Sequence, residues 1–246
     1  DQGRRQEVVT FARGEVPITA TVVSDAGESM REGRLDGALA GVKAFVEQLR
    51  ELDKTSVLLF SDRIERMTAF SSQPDLILGA LGGATPQGGS AINDHLYLAL
   101  KQLEGEPGRP VVVLFSDGTD VHSVLPMEQI LWKLGRSQAL VYWVRLEEQA
   151  AGGDTISSAW RDGDGNKREA RQLTDAVAAS GGRLITIASA DQLKGVLAEI
   201  LSELRNQYVI GYYPSHLEGD GSWHKVQVQL ASMGHSVRHR GGYVDE

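Results

Sequence analysis

The feature that most constrains the fold is the alternation of apolar, β-branched runs with segments of helical periodicity. Parallel strands need long crossover connections, usually helices, so this alternation predicts a parallel sheet. The predicted strands are residues 18–24, 56–61, 111–116, 140–146 and 184–188, with a short edge strand within 63–70. The predicted helices are residues 35–52, 74–81, 91–103, 126–134, 169–179 and 190–205.

Both ends of the chain depart from this alternation. Residues 7–12 form a β run with no helix after it, and from Tyr208 onward apolar residues recur at every second position. We therefore expect a doubly wound, mostly parallel α/β sheet of about six strands, Rossmann-like, with helices on both faces. A small antiparallel β-sheet from the termini completes it. The expected division is an N-terminal β segment pairing with the tail (1–15), a main domain (16–206) and an antiparallel extension of about three strands (207–246).

Charge and composition narrow the classes of partner. The 33 acidic and 25 basic residues give a net charge of -8, which argues against a nucleic-acid surface because such surfaces are basic. The chain has no cysteine, which excludes disulfides, thiolate metal sites and a cysteine nucleophile. No apolar stretch approaches the roughly 18 residues of a membrane span, and the charged start does not resemble a signal peptide.

Three polar loops are candidates for a functional site. They are residues 25–29 after the first central strand, 88–94 before a helix, and 116–120 at the end of another strand. In open α/β sheets, ligands bind beyond the carboxyl ends of the strands, where the strand order reverses. The loops offer carboxylate and hydroxyl oxygens, which suit Mg²⁺ or another hard divalent cation.

These loops also carry a family resemblance. "VVSDAGESM" resembles the opening of a von Willebrand factor A domain, whose metal-ion-dependent adhesion site begins with Asp-x-Ser-x-Ser. Gly89-Ser90-Ala91 is similar to the family's threonine loop, and "LFSDGTD" is similar to the strand that ends at the distal aspartate, Asp117. The resemblance covers about residues 16–205. The tail resembles the Acidobacterial-type von Willebrand factor A-related proteins, a bacterial subgroup that is commonly extracytoplasmic.

The resemblance implies a metal site with one departure. Asp25, Ser29, Ser90 and Asp117 are the implied direct or water-bridged ligands of Mg²⁺, or of Mn²⁺ or Ca²⁺. Gly27 stands where the family has its first serine, so one hydroxyl ligand is missing and weaker binding is expected. Reverting Gly27→Ser is expected to tighten binding. Ser90 in place of threonine keeps the ligand oxygen.

The implied function is non-enzymatic, adhesion-type binding of a protein or peptide, in which the cation bridges to a partner's carboxylate. The surrounding loops, including residues 147–167, would supply specificity, and an extracytoplasmic or secreted location is expected. A second hypothesis is a metal-independent scaffold with a decayed site, in which Asp25 and Ser29 cap the following helix. A third is a serine hydrolase that uses Ser29 or Ser90, but neither lies in a Gly-x-Ser-x-Gly elbow.

Five further expectations concern individual residues. Residues 162–166, "DGDGN", imitate half a calcium loop but lack its closing glutamate, so a polar turn is predicted. Trp143 and Trp132 are predicted to lie in the core, and Trp160 to be exposed and face a partner. His95 and His122 are predicted to lie on solvated loops or helix starts. Glu28 is predicted to point outward.

Overall fold

The computed structural model describes residues 1–14, 16–147, 163–216, 219–231 and 234–245. Within these ranges the chain forms strands β1 to β10, helices α1 to α6 and two short 3-10 turns, Glu28–Met30 and Ala190–Gln192. The strands are β1 Val8–Arg13, β2 Ile18–Asp25, β3 Lys54–Phe60, β4 Ile64–Met67, β5 Arg109–Ser116, β6 Leu140–Leu146, β7 Arg183–Ile187, β8 Tyr208–Tyr212, β9 Trp223–Lys225 and β10 Gly242–Val244. The helices are α1 Arg34–Val46, α2 Pro74–Ala80, α3 Ile92–Gln102, α4 Met127–Arg136, α5 Gly163–Ala179 and α6 Leu193–Asn206.

The central sheet has the strand order β4-β3-β2-β5-β6-β7. All neighbouring strands are parallel except β4, which pairs antiparallel with β3 at the edge. The chain runs from β2 to β3 on one side and then crosses to β5 on the other, so the strand order reverses at β2. The doubly wound sheet predicted from the sequence is confirmed, and its switch point lies at the carboxyl ends of β2 and β5.

Helices cover both faces of the sheet, which explains why its central strands are apolar on both sides. Every residue of β2 is buried. One core lies between the sheet and α1, α2 and α6, and includes Phe45, Ile77 and Leu197. The other lies between the sheet and α3, α4 and α5, and includes Leu96 and Ile130. None of the helices in the described ranges is long and apolar enough to cross a membrane.

The two ends of the chain form two separate antiparallel ribbons. β1 pairs with β8, which is the pairing predicted between the N-terminal segment and the tail. β9 pairs with β10. The tail thus does not form one set of three strands, because β8 takes its partner from the other end of the chain. The domain boundaries at residues 15/16 and 206/207 stay a prediction.

Helix α5 begins earlier than the sequence predicted. It starts at Gly163, so Asp164 and Asn166 lie in a helix and not in a polar turn. An acidic residue in the first turn stabilises a helix start, and Asp164 also lies 3.9 Å from Lys167, one turn on. Asp162, Trp160 and most of the segment 147–167 lie outside the described residues.

Trp143 and Trp132, which were both predicted to lie in the core, differ in their burial. Trp143 in β6 is fully buried, as predicted. Trp132 is 52% exposed, so its prediction is wrong. Its helix, α4, turns Met127, Ile130 and Leu134 toward the sheet, and this three- to four-residue spacing leaves Trp132 on the outer side.

Candidate metal centre

The site is built around Asp25, the last residue of β2, which is completely buried. One carboxylate oxygen, Oδ1, accepts a hydrogen bond of 2.7 Å from the backbone N–H of Gly27. The other, Oδ2, accepts one of 2.6 Å from the Ser90 hydroxyl. The side chain therefore turns back over the end of its own strand and joins two segments that are 65 residues apart.

The first loop (residues 25–30) is joined to the second loop (residues 87–91) through the backbone. The N–H of Gln87 donates to the carbonyl of Ala26 at 3.0 Å, and the N–H of Glu28 donates to the carbonyl of Gly88 at 2.9 Å. These two bonds run in opposite directions between the loops. They hold the second loop against the end of β2, although it follows α2 in the chain.

The second loop is joined in turn to the third loop (residues 117–122). The carbonyl of Ser90 accepts from the N–H groups of Val121 and His122, at 2.9 and 3.1 Å. Gly89 permits this approach, because a Cβ there would lie 2.1 Å from Nδ1 of His122. The structure thus brings all three predicted loops together at the switch point of the sheet.

Asp117 follows β5 and adds a second carboxylate. Its Oδ1 accepts from the N–H of Thr119 at 2.8 Å. The pKa of Asp25 is raised to about 7, first by burial and then by the negative charge of Asp117, while the hydrogen bonds from Ser90 and Gly27 partly oppose the rise. The charge of Asp117 therefore disfavours ionisation of Asp25, and a cation bound beside Asp25 would favour it.

Ser29 lies in the first loop, within the 3-10 turn Glu28–Met30. Its hydroxyl oxygen is buried and has no hydrogen-bond partner among the described residues. A buried polar atom without a partner is costly, so this oxygen is one that a cation could satisfy. Glu28, in contrast, is exposed and forms a 2.7 Å ion pair with Arg31, so it points outward as predicted.

The donor set fits a hard divalent cation. Two carboxylates and two hydroxyls are all oxygen ligands, and one hydroxyl oxygen is both enclosed and unpartnered. Across the described ranges, no group of three or more histidine, aspartate or glutamate side chains could hold a metal ion. A cation here would therefore use hydroxyl oxygens and water besides the carboxylates. The role of Asp25, Ser29, Ser90 and Asp117 as metal ligands stays a prediction.

Two further acids in these loops have structural roles that the sequence analysis did not assign. Asp120 is buried, and its carboxylate accepts from the N–H groups of Asn93 at 2.9 Å and Ser123 at 3.0 Å. Asp94 accepts from the N–H groups of residues 124 and 125. They lock the third loop to the start of α3. Asp94 lies in the first turn of a predicted helix, where acids often bond free N–H groups, whereas the bond between Asp120 and Asn93 spans 27 residues and has no local signal.

The geometry does not favour a serine nucleophile. The hydroxyl proton of Ser90 is directed to Asp25. His95 lies in the first turn of α3, one of the two predicted places, but it is buried and not solvated. Its ring stacks on Phe60 at 4.7 Å and lies 2.7 Å from the carbonyl of Ala91. Burial lowers the pKa of His95. The reason for the wrong prediction is that α3 turns this face of the helix onto β3.

Gly27 determines how the loops pack. A Cβ at this position would lie 2.9 Å from Oγ of Ser90 and 3.1 Å from Oδ1 of Asp25. The Ser90 hydroxyl therefore occupies space that a serine at position 27 would need. This steric cost was invisible in the sequence, which predicted only the gain of a ligand from Gly27→Ser.

We predict that Gly27→Ala and Gly27→Ser each destabilise the cation-free protein, by about 1–3 kcal/mol, because the added Cβ displaces Ser90. The two variants share that Cβ, so their difference isolates the hydroxyl. Gly27→Ser is expected to bind Mg²⁺ more tightly than Gly27→Ala. Urea unfolding and isothermal titration measure the two effects, and equal Mg²⁺ affinities would show that no ligand acts from position 27.

The comparisons with known proteins agree with this architecture. Residues 21–119 match the von Willebrand factor type A domain family. No curated protein matches the chain in sequence. A von Willebrand factor type A structure from Catenulispora acidiphila is similar with a TM-score of 0.57 and 16% identity, over 83% of this chain and 52% of its own.

Two other solved structures share the fold. The PilB minor pilin from Streptococcus sanguinis has a TM-score of 0.54 and 12% identity, over 79% of this chain and 62% of its own. The ArnB paralog VWA2 from Sulfolobus acidocaldarius has a TM-score of 0.55 and 17% identity, over 77% of this chain and 46% of its own. This chain thus spans roughly half to two thirds of these relatives. The bacterial subgroup suggested by the tail stays a prediction. Residues 21–119 thus resemble a von Willebrand factor type A domain in sequence, and the six-stranded sheet with its helices has the same fold as the solved von Willebrand factor type A structure.

Proposed function

We propose that this chain is a non-enzymatic, adhesion-type module that binds a protein or peptide through a divalent cation. Asp25, Ser29, Ser90 and Asp117 would hold the cation, directly or through water, and an acidic side chain of the partner would complete its coordination. The observation that carries this proposal is the meeting of three loops around the buried carboxylate of Asp25, whose pKa is raised by burial and by Asp117.

The charges at the site suit a bridging role. When bound, a divalent cation supplies positive charge that attracts a carboxylate. Of the four proposed ligands, Asp25 and Asp117 are negative, while Ser29 and Ser90 are neutral. The two negative charges formally balance those of the cation, so the partner's acid would bind through an open coordination position. Glu28 is exposed and paired with Arg31, so it is not among the proposed ligands.

We predict that Mg²⁺, Mn²⁺ or Ca²⁺ raises the melting temperature of the protein, because a ligand that binds only the folded state stabilises it. At a free cation concentration one hundred times the Kd, the gain is about 2.7 kcal/mol. Asp117→Ala is expected to abolish both this shift and the heat of titration. Asp75→Ala, in the exposed first turn of α2, is the control for loss of one negative charge. No heat and no shift in the parent protein would reject the proposal.

A metal-independent scaffold is the second candidate. It is favoured by one observation, namely that both carboxylate oxygens of Asp25 already accept hydrogen bonds from Gly27 and Ser90. In that case the loops would be held by the protein alone. The titration separates the two candidates, since a scaffold predicts a melting temperature that is independent of divalent cations and of Asp117.

The proposed location is extracytoplasmic or secreted, and the proposed partners lie there. A minor pilin among the proteins of similar fold supports both an adhesion-type role and this location. The net charge of -8 agrees with a partner that is reached through a cation and not through a basic surface.

A further inference from the structure

A second concave site lies far from the three loops, between α4, α5 and the β9–β10 ribbon. It is a cavity of about 290 Å³. Trp132, Trp223, Arg240, Leu131, Ala176 and Val244 contribute to its lining. Crossover helices run back toward the amino ends of the strands, so the carboxyl ends of α4 and α5 lie at the opposite end of the sheet from the candidate metal centre.

Two half-exposed tryptophans form walls of this cavity. Trp132 is 52% exposed and Trp223 is 44% exposed. The ring of Trp223 is held over two glycines, since a Cβ on Gly242 would lie 2.6 Å from the indole and one on Gly135 would lie 3.7 Å away. Aromatic rings that are fixed in position and partly open to solvent are typical of recognition sites.

Arg240 adds a positive charge at the wall, and it forms no ion pair with an acid in the part of the chain that the structure describes. Its guanidinium donates to the backbone carbonyls of Gly242 at 2.5 Å and Gly135 at 3.2 Å, and both acceptors are formally neutral. Nη1 is enclosed and has no hydrogen-bond partner within the described ranges. Burial lowers the pKa of Arg240, because the guanidinium has lost contact with water.

The remaining charge at the cavity has the same sign. Arg136 lies over the Trp132 ring, with its guanidinium carbon 4.3 Å from the ring centre. None of the described residues that line the cavity is acidic. In a protein with a net charge of -8, a concave surface with two arginines and two tryptophans is locally complementary to an apolar anion.

We propose that this cavity binds an apolar group that carries a carboxylate, with the ring or branched chain between Trp132 and Trp223 and the carboxylate facing Arg240. Two sources share this chemistry: the C-terminal residue of a polypeptide and a free aromatic acid. The site is independent of divalent cations and of the three loops. A negative result at this cavity would therefore not affect the proposed function, and the reverse also holds.

The test is a titration followed by the indole N–H resonances in two-dimensional NMR. The probe is N-acetyl-phenylalanine, and the matched control is its neutral amide. Saturable shifts are expected for Trp132 and Trp223, with Trp143, which is buried in the sheet, unchanged. The amide is expected to bind about tenfold more weakly, which corresponds to the loss of one charged hydrogen bond.

A second titration, with 3-phenylpropionate, distinguishes the two sources of the ligand. An affinity equal to that of N-acetyl-phenylalanine indicates a free acid, and a weaker affinity indicates a peptide terminus.

Variants localise the interaction. Arg240→Gln is expected to remove the preference for the carboxylate, while Arg240→Lys retains part of it. Trp132→Ala is expected to weaken binding about tenfold, and its exposed position lets the fold tolerate the change. Equal binding of the acid and the amide to the parent protein would overturn the proposal, as would unchanged binding in Trp132→Ala. The comparison of acid and amide needs no variant, so it holds even if Arg240→Gln disturbs folding.

Discussion

Asp25→Asn is expected to stabilise the cation-free protein by about 4 kcal/mol at pH 8. The pKa of Asp25 rises from 3.8 to about 7 in the folded protein, mainly because the carboxyl is buried and secondly because Asp117 lies near. At 1.36 kcal/mol per pKa unit, the shift corresponds to a cost of this size for holding the charge in the folded state. Asparagine keeps the shape and never carries the charge.

The direction of the pKa shift of Asp25 determines how the stability of the protein depends on pH. A raised pKa means that the folded state binds the proton more tightly than the unfolded state. The contribution of Asp25 to stability is therefore fully present below pH 3.8 and is lost as the pH rises toward 7. The free energy of unfolding of the two proteins should be closest near pH 4 and diverge up to about pH 8.

Urea unfolding with a chelator present, at several values between pH 4 and pH 8, measures this divergence. Glu51→Gln, an exposed acid in the turn before β3, is the control for removing one negative charge. With Mg²⁺ in excess, the parent protein should regain stability and Asp25→Asn should not. A difference between the two proteins that does not change with pH would contradict the assigned cost of the buried charge.

Gly89→Ala is expected to destabilise the protein by about 3 kcal/mol, at the upper end of the effects of overpacking. The new Cβ would lie 2.1 Å from Nδ1 and 2.4 Å from Cε1 of His122, and 2.8 Å from Cγ2 of Val121. Such distances force the second and third loops apart. The backbone bonds from Val121 and His122 to the Ser90 carbonyl would then weaken, and with them the position of Ser90 beside Asp25.

A double-mutant cycle tests this mechanism. His122→Ala removes the side chain that the new Cβ meets first, so Gly89→Ala should cost much less in the His122→Ala background. An interaction energy of about 1–3 kcal/mol is expected from thermal or urea unfolding of the four proteins. Gly79→Ala, in α2, is a matched control because a Cβ there meets no atom within 4 Å. Additive effects of Gly89→Ala and His122→Ala would exclude the contact as the cause.

Much of the fold could be predicted because its signals are local. Periodicity of two or 3.6 residues is read within a short window, and it placed every strand of the central sheet close to its observed position. Prediction from local periodicity failed at the start of α5 and at Trp132, which is exposed. A helix boundary depends on its first turn, and the face of a helix that is buried depends on the neighbouring elements.

The sequence by itself determined the doubly wound sheet and the order of the three polar loops, because both follow from short-range patterns and from the rule that sites form at the carboxyl ends of strands. Only the tertiary structure decided that the Ser90 hydroxyl fills the space over Gly27, that the charge of Asp25 is costly, and that Arg240 lines one cavity together with Trp132 and Trp223. These features depend on distances and burial between residues that are far apart in the chain. Local patterns carry no information on such distances.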